Sequence, residues 1–248
     1  MQRHHNQHGP HFGAHMPTFW GDQEELDRAV RSCLNRVFLR MFAALLATAA
    51  SALVVVESAA LQEIIFGYQY VFYVLIFANV ILVIGISAGI NRMPPAMASI
   101  LFFFYAIMNG ITMSSIFFYF NIEVIAMAFA IAAAMFAAMA IYGATTRRDL
   151  STVGSFCMMG LVGIIIASIA NFFLRSDLID FIVCYAGVLI FVGLTAYDTR
   201  RIKTMLMESH ATSHYDAIKR ISIIGALTLY LDFINLFLKV LRVLGRRR

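Results

Sequence analysis

Polar and small residues recur at helical spacing near the C-terminus of the 248-residue chain. Steps of three or four residues separate Ser222, Gly225, Thr228, Asp232, Asn235 and Lys239. This spacing places them on one face of an α-helix, whose other faces carry Leu, Ile and Phe. Such a helix belongs inside a bundle, where its polar stripe lines something polar.

Asp232 lies near the middle of this polar stripe, between Thr228 and Asn235. Inside a membrane, a carboxylate costs roughly 2.5–3.5 kcal/mol on insertion scales, so it is normally paired or protonated. The three side chains together offer a continuous path lined with oxygen atoms. We expect them to line a pathway; the alternative is an aspartate that only makes structural hydrogen bonds.

A second carboxylate, Asp198, ends the preceding apolar run in the sequence Thr-Ala-Tyr-Asp-Thr-Arg-Arg. It could be a surface acid that pairs with Arg200 or Arg201. Helices joined by roughly twenty residues can also lie antiparallel, which would bring the two aspartates to neighbouring helices. Because Asp232 lies about 16 Å into its own helix, contact requires that helix to begin outside the bilayer, or helix six to continue past Tyr197.

The composition places both helices in a membrane. Hydrophobic residues make up 61% of the chain and charged residues 13%, with a mean hydropathy of +0.79. Soluble domains average about 45–50% apolar and about 25% charged residues. This excludes a water-soluble enzyme and a nucleic-acid-binding module. The three cysteines form no C-x-x-C pair and predict neither a disulfide framework nor a zinc site.

Seven apolar segments are candidate membrane helices, each of which requires roughly 20 residues. They are 41–56, 64–91, 93–122, 124–146, 150–174, 178–197 and 221–238. The first is short, and Arg40 before it is placed where it could snorkel to the membrane surface. Each must be helical, because lipid cannot hydrogen-bond an open backbone. The sequence therefore predicts an all-α membrane protein with a seven-helix domain over residues 37–245 and a basic end at 246–248.

Residues 1–36 form a polar N-terminal tail. Apolar residues at helical spacing from Leu26 to Val37 predict a short amphipathic helix on the membrane surface. The five histidines between His4 and His15 could bind a metal, but their spacing matches no helical or zinc-finger pattern, so we interpret this segment as a disordered polar tail.

The Lys and Arg residues flanking the first six helices predict a cytoplasmic N-terminus. Thirteen fall on the side of the N-terminus, and only Arg175 falls on the other. Cytoplasmic loops carry this excess of positive charge. The C-terminal end breaks the pattern, because five basic residues follow helix seven. Either helix seven is re-entrant, or it crosses and the basic end is tolerated outside.

The segment from Gly225 to Phe237 closely resembles the signature of the Bax inhibitor-1 family, and its bacterial branch matches best. The segment from Ala196 to Thr199, followed by Ile202 and Lys203, resembles that family's end of helix six. The weaker Asn-Gly-Ile-Thr element at 109–112 resembles its helix three. The resemblance covers about residues 30–245.

This resemblance implies a seven-helix bundle with the C-terminal helix at its centre, in the inner membrane of a bacterium. It also implies a pH-sensitive calcium leak in which Asp198 and Asp232 share a proton or a hydrogen bond. Two carboxylates in a medium of low dielectric constant cannot easily both ionise. Calcium, which prefers six to eight oxygen ligands, would then be a weakly bound permeant ion, and no cofactor is expected.

The resemblance further places Arg92 where family members carry an arginine that latches the helix-six aspartate. Pro94 and Pro95 depart from the family pattern beside it. Besides the bilayer, calcium and protons, a membrane protease that this chain regulates through residues 1–36 is an alternative partner. An intramembrane aspartyl protease is a remote alternative: Tyr197 and Asp198 match its first motif, but the glycines of the second motif are missing around Asp232.

Overall fold

The computed structural model describes residues 19–90, 92–211 and 215–246. Helices account for almost all of this part of the chain, and it contains no strand. They are α1 (Phe19–Glu57), α2 (Ala59–Phe66), α3 (Gln69–Gly89), α4 (Pro95–Met113), α5 (Ile116–Tyr119), α6 (Ile122–Thr145), α7 (Ser151–Leu174), α8 (Asp177–Ala211) and α9 (Tyr215–Gly245). Seven of them, all except the short α2 and α5, provide segments long and apolar enough to cross a membrane. This confirms the predicted seven-helix membrane architecture.

Helix α9 lies at the centre of the bundle. In the most apolar stretch of α9, 67% of the residues are buried inside the bundle, whereas the corresponding share is 33% or less in each of the other candidate spans. It packs against α8, α6, α1 and α4, whereas α3 packs mainly on α4 and α7 mainly on α8. The prediction of a central C-terminal helix is therefore confirmed. Four of the six other spans are its principal neighbours.

The first helix differs from its prediction. From Phe19 the chain forms one helix of 39 residues, so the amphipathic stretch continues directly into the first span. Val30, Cys33, Leu34 and Val37 are buried in the main hydrophobic core, not in a membrane surface. The expected surface helix is wrong, because hydrophobic spacing identifies an apolar face without identifying what covers it. The tail histidines lie outside the described residues.

Two glycines allow neighbouring helices to approach closely. A Cβ atom at Gly110 of α4 would overlap the carbonyl oxygen of Thr48 on α1, and one at Gly143 of α6 would overlap that of Ala196 on α8. Lipid provides no hydrophobic driving force between helices, so membrane helices associate through close van der Waals packing. Small residues at the contacts allow this packing. Gly85 on α3 differs, since nothing lies within 4 Å of its Cβ position.

The outer surface of the bundle is strongly apolar. Large exposed side chains cover the outward faces of several spans, among them Phe77, Ile81, Ile100, Phe156 and Phe172. An apolar surface of this extent is incompatible with a soluble monomer and is the surface that lipid covers. The three cysteines, Cys33, Cys157 and Cys184, are buried, and no disulfide joins them.

Candidate functional site

Asp198 and Asp232 face each other across α8 and α9. Their carboxyl groups approach closely enough to share a hydrogen bond. Both conditions for contact are met, because α8 continues past Tyr197 to Ala211 and α9 begins at Tyr215. Thirteen residues then follow Asp198 in α8 and seventeen precede Asp232 in α9. The two aspartates lie at nearly the same height, within about 6 Å along the axes.

Three residues of the polar stripe of α9, namely Gly225, Asp232 and Lys239, lie against α8. A Cβ atom at Gly225 would lie 3.1 Å from the side chain of Ile202, and one at Gly187 would lie 2.9 Å from that of Lys239. With the aspartate pair between these contacts, the α9 number rises as the α8 number falls, as antiparallel helices require. The predicted stripe is therefore an interhelical seam with the aspartates near its middle.

Asp232 is the more deeply buried member of the pair, with 5% of its surface exposed. Its Oδ2 atom is buried and has no hydrogen-bond partner. Asp198 is half-buried, and its neighbouring charges are Asp232 and Arg201. A buried carboxylate oxygen without a donor favours either a bound proton or a cation. A role of the pair as pH sensor and calcium site stays a prediction.

Arg92 does not reach this pair in the structure. It is exposed in the turn between α3 and α4, and among the described residues no ion pair involves it. Two residues earlier, Ile90 packs with Ile223 of α9. Ile223 precedes Asp232 by nine residues, or about 13 Å along the helix. The latch stays a prediction.

Thr228 and Asn235, the predicted lining residues, are both half-buried on α9. The Asn235 amide donates 2.9 Å to the carbonyl oxygen of Leu231, one turn back in the same helix. Ser222 likewise donates to Ile218 at 2.8 Å. These bonds satisfy polar groups within α9, so a lining role for Thr228 and Asn235 stays a prediction.

A buried hydrogen-bond network is centred on Tyr230, two residues before Asp232 in α9. The Asn109 amide of α4 donates to the hydroxyl of Tyr230 at 2.8 Å, and that hydroxyl lies 2.7 Å from Oγ1 of Thr48 on α1. The single hydroxyl proton of Thr48 is within donating distance of two carbonyl oxygens, those of Ala44 and Ala106, and donation to either one leaves Tyr230 as the donor to Thr48. The sequence analysis did not single out Thr48 or Tyr230. The signal was present in the 109–112 element and in the tyrosine beside Asp232.

The opposite end of α9 is held by an acidic residue at the start of α8. Arg242 lies 3.1 Å from Oδ1 of Asp180, and Arg246 contacts Oδ2 of the same carboxylate. Helix α9 is unbroken from Tyr215 to Gly245. An unbroken helix of this length favours a complete crossing over the re-entrant alternative, and the side of the C-terminus stays a prediction. Asp180 provides a partner for part of the basic charge that follows helix seven.

The described residues contain no cluster of three or more His, Cys, Asp or Glu side chains that could hold a metal ion. The aspartate pair alone supplies fewer oxygen ligands than calcium takes at a storage site.

Comparison with known proteins gives one consistent family. The sequence model described as "Inhibitor of apoptosis-promoting Bax1" matches residues 30–248. The inner membrane protein YbhL of Escherichia coli K12 is 43% identical over 88% of this chain and 93% of its own length. An uncharacterised protein of Borreliella burgdorferi is 40% identical over 87% and 92%, and one of Rickettsia prowazekii 36% identical over 93% and 96%.

Proposed function

The chain belongs to the Bax inhibitor-1 family, and we propose that it forms a pH-sensitive calcium leak in the bacterial inner membrane. The proposed gate is the pair of Asp198 and Asp232. The single observation that supports it most is the close approach of two carboxyl groups inside the apolar bundle, one of them with an oxygen that lacks a hydrogen-bond donor. The inner-membrane location follows the name of the YbhL relative, and the cytoplasmic N-terminus follows the loop charges.

The gating step follows from the charge of the pair. A hydrogen bond between two carboxyl groups requires a proton on one of them, and this proton holds α8 and α9 together. Loss of the proton leaves two negative charges side by side in a medium of low dielectric constant, where like charges repel strongly. The repulsion separates the helices or is relieved by a cation. Deprotonation therefore opens the seam and attracts a positive ion in one event.

Calcium flux into liposomes that contain only this protein tests the proposal. The leak is measured from about pH 6 to about pH 8, with calcium, potassium and protons compared. The wild type should leak more calcium as the pH rises, while Asp198→Asn and Asp232→Asn lose this pH response. Asp177→Asn is the matched control, because it removes an exposed carboxylate from the first turn of the same helix without breaking the ion pairs of Asp180. A pH response that persists in both pair variants, or that Asp177→Asn also abolishes, contradicts the proposal.

An intramembrane aspartyl protease also brings two aspartates together, so the pair by itself does not separate the two functions. A protease must admit the backbone of its substrate to both carboxyl groups. Here Asp232 is almost completely buried, and the adjoining Leu229, Tyr230 and Phe233 are buried as well in an unbroken helix. These observations favour the leak.

The protease-regulator alternative stays a prediction, since half of residues 1–36 lie outside the described part.

A further inference from the structure

A cavity of about 730 Å³ lies at the end of the bundle where α1 begins. Four cationic side chains line it from three separate parts of the chain. Arg31 belongs to α1, Arg147 follows α6, and Arg200 and Lys203 belong to α8. Folding has therefore gathered positive charges that lie up to 172 positions apart around one space.

The cavity carries little negative charge of its own. Asp27 is the one carboxylate among its lining residues, and no ion pair within the described part of the chain involves any of the four cations. Outside the cavity, hydrogen bonds from Ser151 lower the pKa of the Asp149 carboxyl, and the charge of Arg200 contributes to the same shift to a lesser degree. The lining is left with a surplus of positive charge that an anion would balance.

Lys203 is fixed in place at this cavity. Its Nζ atom donates at 2.8 Å to the carbonyl oxygen of Ala144, in the last turn of α6. That carbonyl lies at the negative end of the α6 dipole, which favours a cation there. The ammonium group retains further N–H donors for a ligand. The cavity therefore presents a held ammonium beside three arginine side chains.

One wall of the cavity is apolar. Leu34, Phe38 and Met207 contribute to its lining, and Leu39 and Phe42, next on α1, are exposed to lipid. Arginine forms paired hydrogen bonds with phosphate, and basic pockets between membrane helices hold lipid headgroups. A cluster of cations above an apolar wall matches the boundary between the phosphate of a phospholipid and its acyl chains.

We propose that this cavity binds the phosphate group of an anionic phospholipid. The headgroup phosphate lies among Arg31, Arg147, Arg200 and Lys203, and the chains follow the apolar wall towards the bilayer. Soluble phosphate shares the same chemistry and is the alternative source of the anion. The site is separate from the aspartate pair, so it stands or falls independently of the calcium leak.

Lipid retention by the purified full-length chain tests this site. Native mass spectrometry counts phosphatidylglycerol and phosphatidylcholine that remain bound, with inorganic phosphate as a competitor in a separate arm. The test variant combines Arg31→Gln and Arg147→Gln. The control combines Arg28→Gln and Arg148→Gln, which removes two arginines from the same segments that do not line the cavity.

We expect the wild type and the control to retain phosphatidylglycerol in preference to phosphatidylcholine. In the test variant the affinity for phosphatidylglycerol should fall at least about tenfold. If inorganic phosphate binds and phosphatidylglycerol does not, the cavity is an anion site but the proposal of a lipid ligand is wrong. Equal losses in test and control variants overturn the site, because general surface charge then explains binding. Should the double variant fail to fold, the single substitutions at Arg31 and Arg147, compared with those at Arg28 and Arg148, give the same comparison.

Discussion

The hydroxyl of Tyr230 lies 2.7 Å from Oγ1 of Thr48, 182 residues away in the chain, and both side chains are buried. This contact joins the central helix α9 to α1, and the Asn109 amide adds α4 to the same hydroxyl. Asp232 follows Tyr230 by two residues. The height and rotation of the proposed gate are therefore set by a polar contact on the other side of α9.

Replacing Tyr230 with phenylalanine should destabilise the bundle by about 1–3 kcal/mol, because the buried Asn109 amide loses its acceptor while apolar packing is nearly preserved. Denaturation of the detergent-solubilised protein measures this. Tyr119→Phe is the control, since its ring is 82% exposed, and it should leave stability unchanged. A Tyr230→Phe protein as stable as the control would mean that the network adds nothing.

The seven spans could be predicted because the thickness of the bilayer sets the number of apolar residues that a membrane-spanning helix needs. The continuation of α8 to Ala211 and the start of α9 at Tyr215 could not, since both segments carry charges outside the apolar runs. Hydropathy identifies the part of a helix that lipid surrounds and is silent about its continuation in water. For the same reason the sequence left the distance between Asp198 and Asp232 open.

The polar stripe shows a similar limit. Its spacing correctly placed Gly225, Asp232 and Lys239 on one face of α9, but the sequence could not say which helix covers that face. The contacts of Gly225 with Ile202 and Lys239 with Gly187 identify α8 as the partner. The pairing of Asp180 with Arg242 depends on this register as well. Long-range contacts of this kind have no periodic signature in either segment.

Gly110→Ala should destabilise the protein strongly, because the added methyl group would overlap the carbonyl oxygen of Thr48 and force α1 and α4 apart. Overpacking of this kind costs about 1–3 kcal/mol or more. Gly85→Ala should be neutral or stabilising by up to about 1 kcal/mol, since its methyl group meets no atom and alanine favours the helix. Thermal unfolding of the two variants compares the effects. Equal melting temperatures would argue against close packing at Gly110.

The crossing of α9 predicts that the chain's two ends lie on opposite sides of the membrane. A reporter after Arg148 should be cytoplasmic, and reporters near Asp177 and after Arg248 should both be external. Asp177 and Arg246 already lie together, because the Arg246 guanidinium donates 3.3 Å to the Asp177 carbonyl oxygen. Cytoplasmic activity of the C-terminal reporter, with external activity at Asp177, would contradict this arrangement.

Arg92→Ala should raise the resting calcium leak if the arginine engages Asp198 in a closed conformation that differs from this one. Folding should be unaffected, because the side chain is exposed and forms no ion pair with another described residue. Arg148→Ala is the control for loss of an exposed arginine. The leak is measured in liposomes across the pH series. An unchanged leak leaves Arg92 as a charge that only fixes orientation, and leaves Arg201 as the cation beside Asp198.

The last prediction concerns the coupling of the two aspartates, which a double-mutant cycle measures. If Asp198 and Asp232 share one proton, removing either ionisable group abolishes the sharing. The Asp198→Asn/Asp232→Asn double variant should then change the pH dependence of calcium flux little beyond either single variant, because coupled sites are not additive. Two independent structural acids predict the opposite result, in which losses of stability add and the pH response of flux remains. Calcium flux from about pH 6 to about pH 8, measured beside the unfolding midpoint of each variant, separates these two outcomes.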